Sequence, residues 1–313
     1  MKKIIWTCDT EIGELGNFMD DAYDVLVFGN IQDREIGIRY MNRMAQQFGA
    51  KITHFVDVYQ PLYKKKIIAA CECILSAGHK IALHTHPSTM YGKRYMWQYS
   101  LSEQQRIIEY GQEFFFRYLN TEICCHRAGG YGADVNTMLA LQKAGIYKDS
   151  SYYNSNMMCK LPFKNVNGVF RYEKMLEIPL TVYKLRKTIF GRDIFKRYSI
   201  QKLDFRYGSS VDEILKVIDT LDEDAVVILF LHSFNFMDLK YSMRGNRYTS
   251  ISVNDKLIKD YQILLTEISK RKDCCWETID NISKEYYGNE IVLSKNIDIC
   301  QSLKKRFSNE IYV

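Results

Sequence analysis

Short apolar runs recur along the chain, separated by stretches in which apolar residues stand three and four apart. A run apolar at every position reads as a strand buried on both faces, and the three-and-four spacing reads as an amphipathic helix. On this basis Lys3–Thr7 is a strand. Residues 12–34 read as an acidic, irregular loop solvated over a mouth, with Asp20, Asp21 and Asp24 close together but without EF-hand spacing. Ile38, Met41, Met44, Ala45 and Phe48 mark a helix that Gly49 stops. Ile52–Val56 is a strand, 62–76 a helix and Lys80–Leu83 a strand. A helix over 102–119 takes Ser102 as its N-cap and buries Ile107, Phe114, Phe115 and Tyr118. Glu122–Cys125 is a strand, and a helix over 134–144 starts at Asp134. The pattern weakens from 152 to 208, with short strands near Val169–Tyr172 and Glu177–Val182. It resumes with a helix at 210–221, the strongest strand of the chain at Ala225–Leu231, a helix at 254–270 and a short strand at Trp276–Ile279.

Strand and helix thus alternate about seven times, which predicts an α/β fold with a parallel sheet, open or closed as a barrel. In either form, reactive groups collect at the carboxyl ends of the strands. Four stretches fall there: Cys8-Asp9-Thr10-Glu11, Leu83-His84-Thr85-His86-Pro87, His126-Arg127-Ala128-Gly129-Gly130 and Leu231-His232-Ser233. His84 and His86 are two residues apart, so in extended chain both imidazoles project from one face and can meet one ion. Taken alone, the pair reads rather as two loop-edge histidines, each bonded to backbone. Four strands delivering polar groups to one edge is hard to explain by packing.

Composition narrows the class. Hydrophobic residues make up 47% and charged residues 26%, as in globular proteins, and no apolar run reaches the ~20 residues of a membrane span. Met1–Thr7 reaches Asp9 and Glu11 too soon for a secretory leader, and nine cysteines in no framework spacing read as reduced thiols, so the expected location is cytoplasmic. A net charge of +6 is too mild for a nucleic-acid binder. Much of that excess lies in 184–206, where bases interleave with Ile189, Phe190, Ile194 and Phe195. This segment reads as an insertion. It is either a surface helix with one packed face or a peripheral contact with anionic lipid at the inner membrane face.

With these motifs assembled, the chain resembles the polysaccharide deacetylase (NodB-homology) family, carbohydrate esterase family four, from about Ile4 to about Ser283. The motifs are Thr7-Cys8-Asp9-Thr10-Glu11, Ile52-Thr53-His54-Phe55-Val56, Gly78-His79-Lys80-Ile81-Ala82-Leu83-His84, Arg127-Ala128-Gly129-Gly130-Tyr131-Gly132, Tyr147-Lys148-Asp149-Ser150-Ser151, Glu177-Ile178-Pro179 and Leu231-His232. Their order and spacing carry the likeness. Two positions depart: the family's second Asp is Thr10, with Glu11 next to it, and the usual His-x-x-x-His would end at Ser88, where this chain has His86 instead.

The resemblance implies a distorted (β/α) barrel of about seven parallel strands over residues 1–285, with 286–313 as a C-terminal extension. It implies a divalent metal, zinc with cobalt or nickel as alternatives, held by Glu11, His84 and His86. Asp9 would be the general base, Arg127 its orienting cation and His232 the acid for the departing amine. The Tyr131 N–H would receive the oxyanion, with Gly130 and Asn235 also at the substrate. His54, His79 and His126 read as structural, with His126 pointing away from Arg127. The expected activity is hydrolysis of an N-acetyl or related N-acyl group on an amino sugar, in a cytosolic or lipid-linked glycan precursor. Two alternatives share the fold: a metal-independent C–N hydrolase using the same acids and histidines, and a catalytically silent carbohydrate-binding protein.

Overall fold

The computed structural model describes residues 1–13, 19, 21–164, 166–188, 198–242 and 247–296. Apart from a two-residue pair at Asn30–Ile31 and Arg34–Glu35, its strands, in chain order, are β1 (Lys2–Thr10), β2 (Ile52–Asp57), β3 (Lys80–Thr85), β4 (Cys125–Ala128), β5 (Lys148–Asp149), β6 (Phe170–Tyr172), β7 (Met175–Glu177), β8 (Val182–Thr188), β9 (Tyr198–Lys202), β10 (Val226–His232), β11 (Met237–Ser242), β12 (Arg247–Val253), β13 (Cys274–Trp276) and β14 (Val292–Asn296). The main sheet runs β10–β1–β2–β3–β4–β5–β7–β6, and every step from β10 to β7 is parallel. Only β6 is antiparallel to its neighbour. The sheet is strongly curled into a half-barrel, as the alternation of elements and the resemblance both predict.

Alternation explains why the strand runs carry no polar face. In β1, Ile4, Trp6 and Cys8 pack against the helices, while Ile5 faces the barrel interior. In β10, Val227, Leu229 and Leu231 join the helix side, and Val226, Ile228 and Phe230 join Phe55, Ala82 and Leu176 inside. Each fully buried aliphatic or aromatic side chain of this kind contributes roughly 1.5–3 kcal/mol. The outer edge of β10 is covered without a further sheet strand: the Ile228 N–H donates to Thr181 Oγ1 at 2.8 Å and the Phe230 N–H to the Leu203 carbonyl at 3.0 Å.

The outer helices are α1 (Ile38–Gln47), α2 (Lys64–Ser76), α3 (Leu101–Leu119), α4 (Val135–Lys143), α5 (Val211–Thr220) and α6 (Asp255–Ser269). Asp134, Ser210 and Asn254 cap three of them by accepting from N–H groups in the first turn. No helix among the described residues is long and apolar enough to cross a membrane.

The structure departs from the sequence reading in several places. The cap of α3 is Ser100, not Ser102, because Ser100-Leu101-Ser102-Glu103 forms a reciprocal box in which Glu103 returns a bond to the Ser100 N–H at 2.7 Å. Residues 22–28 are helical and packed inward, with Tyr23, Leu26, Val27 and Phe28 buried and Asp24 paired to Lys66, so this part is no solvated loop. The strand expected at 122–125 lies three residues later and the one at 276–279 two residues earlier. The basic segment flanks are strands, not a surface helix: β8 pairs antiparallel with β9 and parallel with β14. Asp20, residues 189–197, with Ile189, Phe190, Ile194 and Phe195, and residues 297–313 of the expected C-terminal extension lie outside the described residues.

Candidate active site

The register of the sheet lines up the reactive groups. Asp9 stands beside His232 on one side and Phe55 on the other; Asp57 stands beside His84, and His84 beside Arg127. His232 is therefore the last residue of its strand, and Asp9, His84 and Arg127 are each the last but one, rather than loop residues past them. Glu11 follows β1 by one residue and faces the same way as Asp9, two positions on. Thr10, between them, turns to the helix side, where its hydroxyl meets His54 Nδ1 at 2.9 Å. It takes no part in the cluster.

Glu11, His84 and His86 form a compact donor group whose three ligand atoms lie within 4.8 Å of one another. His86 Nε2 is 2.7 Å and His84 Nε2 is 3.4 Å from Glu11 Oε2. His84 Nδ1 donates to the Arg127 carbonyl at 2.9 Å, which leaves the Nε2 lone pair aimed at Glu11. Glu11 Oε2 and His84 Nε2 are both buried and, beside the His86–Glu11 ion pair, neither makes a hydrogen bond of good geometry. A buried carboxylate facing two imidazoles fits a divalent cation by donor type and number. Burial works against charge on Glu11, yet His86 and His84 outweigh it and hold the carboxyl well below its ordinary value. Burial likewise opposes a proton on His86, but Glu11 holds the imidazole at about 9. A bound cation would displace that proton.

Asp9 is the second acid. Its Oδ1 accepts from Arg127 Nη1 at 2.7 Å, and its Oδ2 lies 3.6 Å from His84 Nε2. Burial pushes its pKa up, and His84 and Arg127 together bring it below the usual carboxylate range. Arg127 is fully buried. Its Nε donates to the Ser150 carbonyl at 3.1 Å and its Nη2 to Ser150 Oγ at 3.0 Å, and its guanidinium lies 4.0 Å from the centre of the Phe55 ring. His126 does point away, bonding Thr85 Oγ1 at 3.0 Å and Asp149 Oδ1 at 2.6 Å on the other face of β4.

His232 approaches Glu11 Oε1 at 4.0 Å and sits among the rings of Phe230, Phe234 and Tyr207. Burial first, and then Lys202, push its pKa down to about 4. The turn after it holds the acids in place: Ser233 Oγ donates to the Glu11 carbonyl at 3.0 Å, and the Ser233 N–H donates to the Asp9 carbonyl at 3.0 Å. Asn235 is fully buried, and its side-chain oxygen accepts from the His232 N–H at 3.4 Å, so it supports this turn. Gly129–Gly132 wraps the other side. A Cβ on Gly129 would lie 2.5 Å from the His86 ring, so that ring needs glycine there. Gly130 and Tyr131 both have left-handed backbone, at φ 55° and 61°.

Sequence reasoning missed Asp57, Ser150, Ser233, Lys202 and Asp204. Asp57 ends β2 as Asp9 nearly ends β1, and its buried carboxylate faces His86 electrostatically. That position after an apolar strand was a usable signal. Ser150 and Ser233 stood within the sequence motifs but without a role, and Lys202 and Asp204 carried no signal, because the role of each depends on contacts distant in sequence. Size is no guide either: a cavity of about 390 Å³ lined by Lys164, Phe170, Tyr286 and Tyr287 shares no residue with this cluster.

No protein-family model matches the sequence, and no curated protein matches it. Solved structures do. A protein of Mycobacterium smegmatis described as a polysaccharide deacetylase superposes with a TM-score of 0.54 at 14% identity, covering 87% of this chain and 85% of its own. A family 4 carbohydrate esterase from Streptomyces lividans, solved with acetate, gives 0.46 at 12% identity over 88% and 91%. A pseudoenzyme variant of the same esterase family gives 0.43 at 9% identity over 89% and 66%. Over most of its length, this chain has the distorted-barrel fold of the polysaccharide deacetylases.

Proposed function

We propose that this protein is a metal-dependent hydrolase that removes an N-acetyl group from an amino-sugar unit of a glycan or glycan precursor. The observation that supports it most is the pairing of two carboxylates with different surroundings at one strand edge. Glu11 faces two imidazoles, while Asp9 is held by Arg127. Separate environments give two acids separate tasks.

Glu11, His84 and His86 would hold the cation, which supplies a Lewis acid and a lowered water pKa when bound. Asp9 stays ionised beside Arg127 and accepts the proton of the attacking water. Arg127 fixes the Asp9 carboxylate by one oxygen and leaves Oδ2 directed towards His84. Negative charge developing on the acyl oxygen would fall to the Tyr131 N–H. That backbone sits in a left-handed turn beside Gly130. His232, uncharged near neutrality, would take the water-derived proton over from Asp9 as charge develops next to it and release it to the departing amine, which leaves Asp9 ionised for the next turnover. The apolar rings around His232 exclude water from that transfer.

The test is acetate release from an oligomer of N-acetylglucosamine by the zinc-loaded protein. Release that stops in chelator and returns with zinc supports the proposal. Release undiminished in chelator would favour the metal-independent hydrolase, and no release from a zinc-loaded protein that still binds the oligomer would favour a silent carbohydrate-binding protein.

A further inference from the structure

Lys202 ends β9 in the basic segment, yet its side chain is only 14% exposed. Its ammonium donates to Tyr131 Oη at 2.9 Å, lies 3.2 Å from Asp204 Oδ2 and stands 3.5 Å from the centre of the Phe230 ring. Asp204 is fully buried, and its Oδ1 accepts from the Arg206 N–H at 2.9 Å and the Tyr207 N–H at 3.2 Å. Lys202 is thus gripped from three directions. A flexible, strongly hydrated ammonium is withdrawn from water only where fixed partners compensate it.

The group it reaches is itself unusual. Tyr131 is a non-glycine residue at φ 61°. Such backbone persists only where its surroundings over-determine it. His86 packs on Gly129, Tyr95 packs on Gly130 and Gly132, and the Gly132 carbonyl accepts from the Trp97 N–H at 3.1 Å. The Tyr131 side chain leads away from these contacts, with its ring against Tyr153 and Phe230. Among the described residues, the hydrogen bond at its far end is from Lys202.

We propose that Lys202 is a positioning residue that holds Tyr131 by its phenol oxygen and so fixes the turn that presents the Tyr131 N–H. The catalytic consequence rests on the deacetylase reading above, whereas the hold on the turn does not. Part of the basic segment's charge is then an internal strut between β9 and the 129–132 turn.

The experiment uses the full chain with Lys202→Met, which keeps the stem and loses the charge, and Tyr131→Phe, which breaks the same link and keeps the ring. Hydrogen–deuterium exchange is read peptide by peptide. Both variants should speed exchange over 129–133 by about tenfold, with β10 unchanged. In acetate release from an N-acetylglucosamine oligomer, kcat should fall by about 10²-fold while KM and zinc content hold. The double variant should lose no more than either single one, because both remove one link. Lys202→Arg, which keeps a donor and the charge, should recover part of the loss. Wild-type exchange over 129–133 in both single variants overturns the proposal, as does multiplication of the two losses in the double variant. A wild type that releases no acetate would count against the deacetylase reading alone, and the exchange result would still decide what Lys202 holds.

Discussion

At the scale of the residue, Asp9 and Arg127 show how tightly function and stability are tied here. Arg127 is fully buried, and Asp9 is the carboxylate partner the structure gives it. Asp9→Asn should abolish acetate release while leaving zinc bound, because Glu11 and the histidines would be the donors. It should also cost about 3 kcal/mol of stability, since it strands a buried cation. Turnover and zinc content measured together check this, and loss of zinc would mean that Asp9 is a ligand. His232→Ala should lower kcat by more than it raises KM, which steady-state kinetics decides.

Two histidines outside the site set the acid limit of the fold. His79 accepts from the Ile52 N–H at Nδ1 and donates to the Asn42 carbonyl from Nε2, and burial pushes its pKa down to about 4. Burial lowers His54 well below its ordinary value as well. The unfolded chain binds these protons near pH 6.5 and the folded chain does not, so stability is complete above 6.5 and falls as pH drops towards 4. His79→Gln keeps a donor and an acceptor, and should flatten that limb by about 3 kcal/mol in urea titrations compared at the two pH values.

At the scale of the element, the strand ends decide the site. The apolar periodicity predicted β1, β2, β3 and β10 because their runs are buried on both faces. It ended β1 and β3 too early because it treats Asp9 and His84 as chain leaving the sheet. These groups stay in the strand because the interior satisfies them: Arg127 for Asp9, and the Arg127 carbonyl for His84. In β4 the same effect moved the whole strand, since His126 and Arg127 are buried polar residues that no hydrophobic pattern marks. The pair His84 and His86 was legible because extended chain puts residues two apart on one face, and Glu11 joined it only through the family resemblance. The Lys202 strut and the Ser233 clamp were not, because each is a contact made across the fold. The 129–132 turn yields a sharp prediction. Gly129→Ala puts a methyl 2.5 Å from the His86 ring and should weaken zinc binding by about 10- to 100-fold without unfolding the protein, as zinc titration would show. Unchanged affinity would mean that the ring can shift at no cost.

At the scale of the whole molecule, the half-barrel stays open between β10 and β6, and the chain around Thr181 and Leu203 covers the β10 edge. The same stretch continues through Asp204 to Arg206, which donates to the Asn235 and Met237 carbonyls behind the His232 turn. The least regular part of the sequence, 152–208, therefore both seals the sheet and braces the site. This brace would serve a cation held by Glu11, His84 and His86. Elemental analysis of the purified protein after zinc loading and desalting tests it most directly. The account predicts about one zinc per wild-type chain and almost none in His84→Ala of unchanged circular dichroism; a wild type that holds no more zinc than that variant would contradict it.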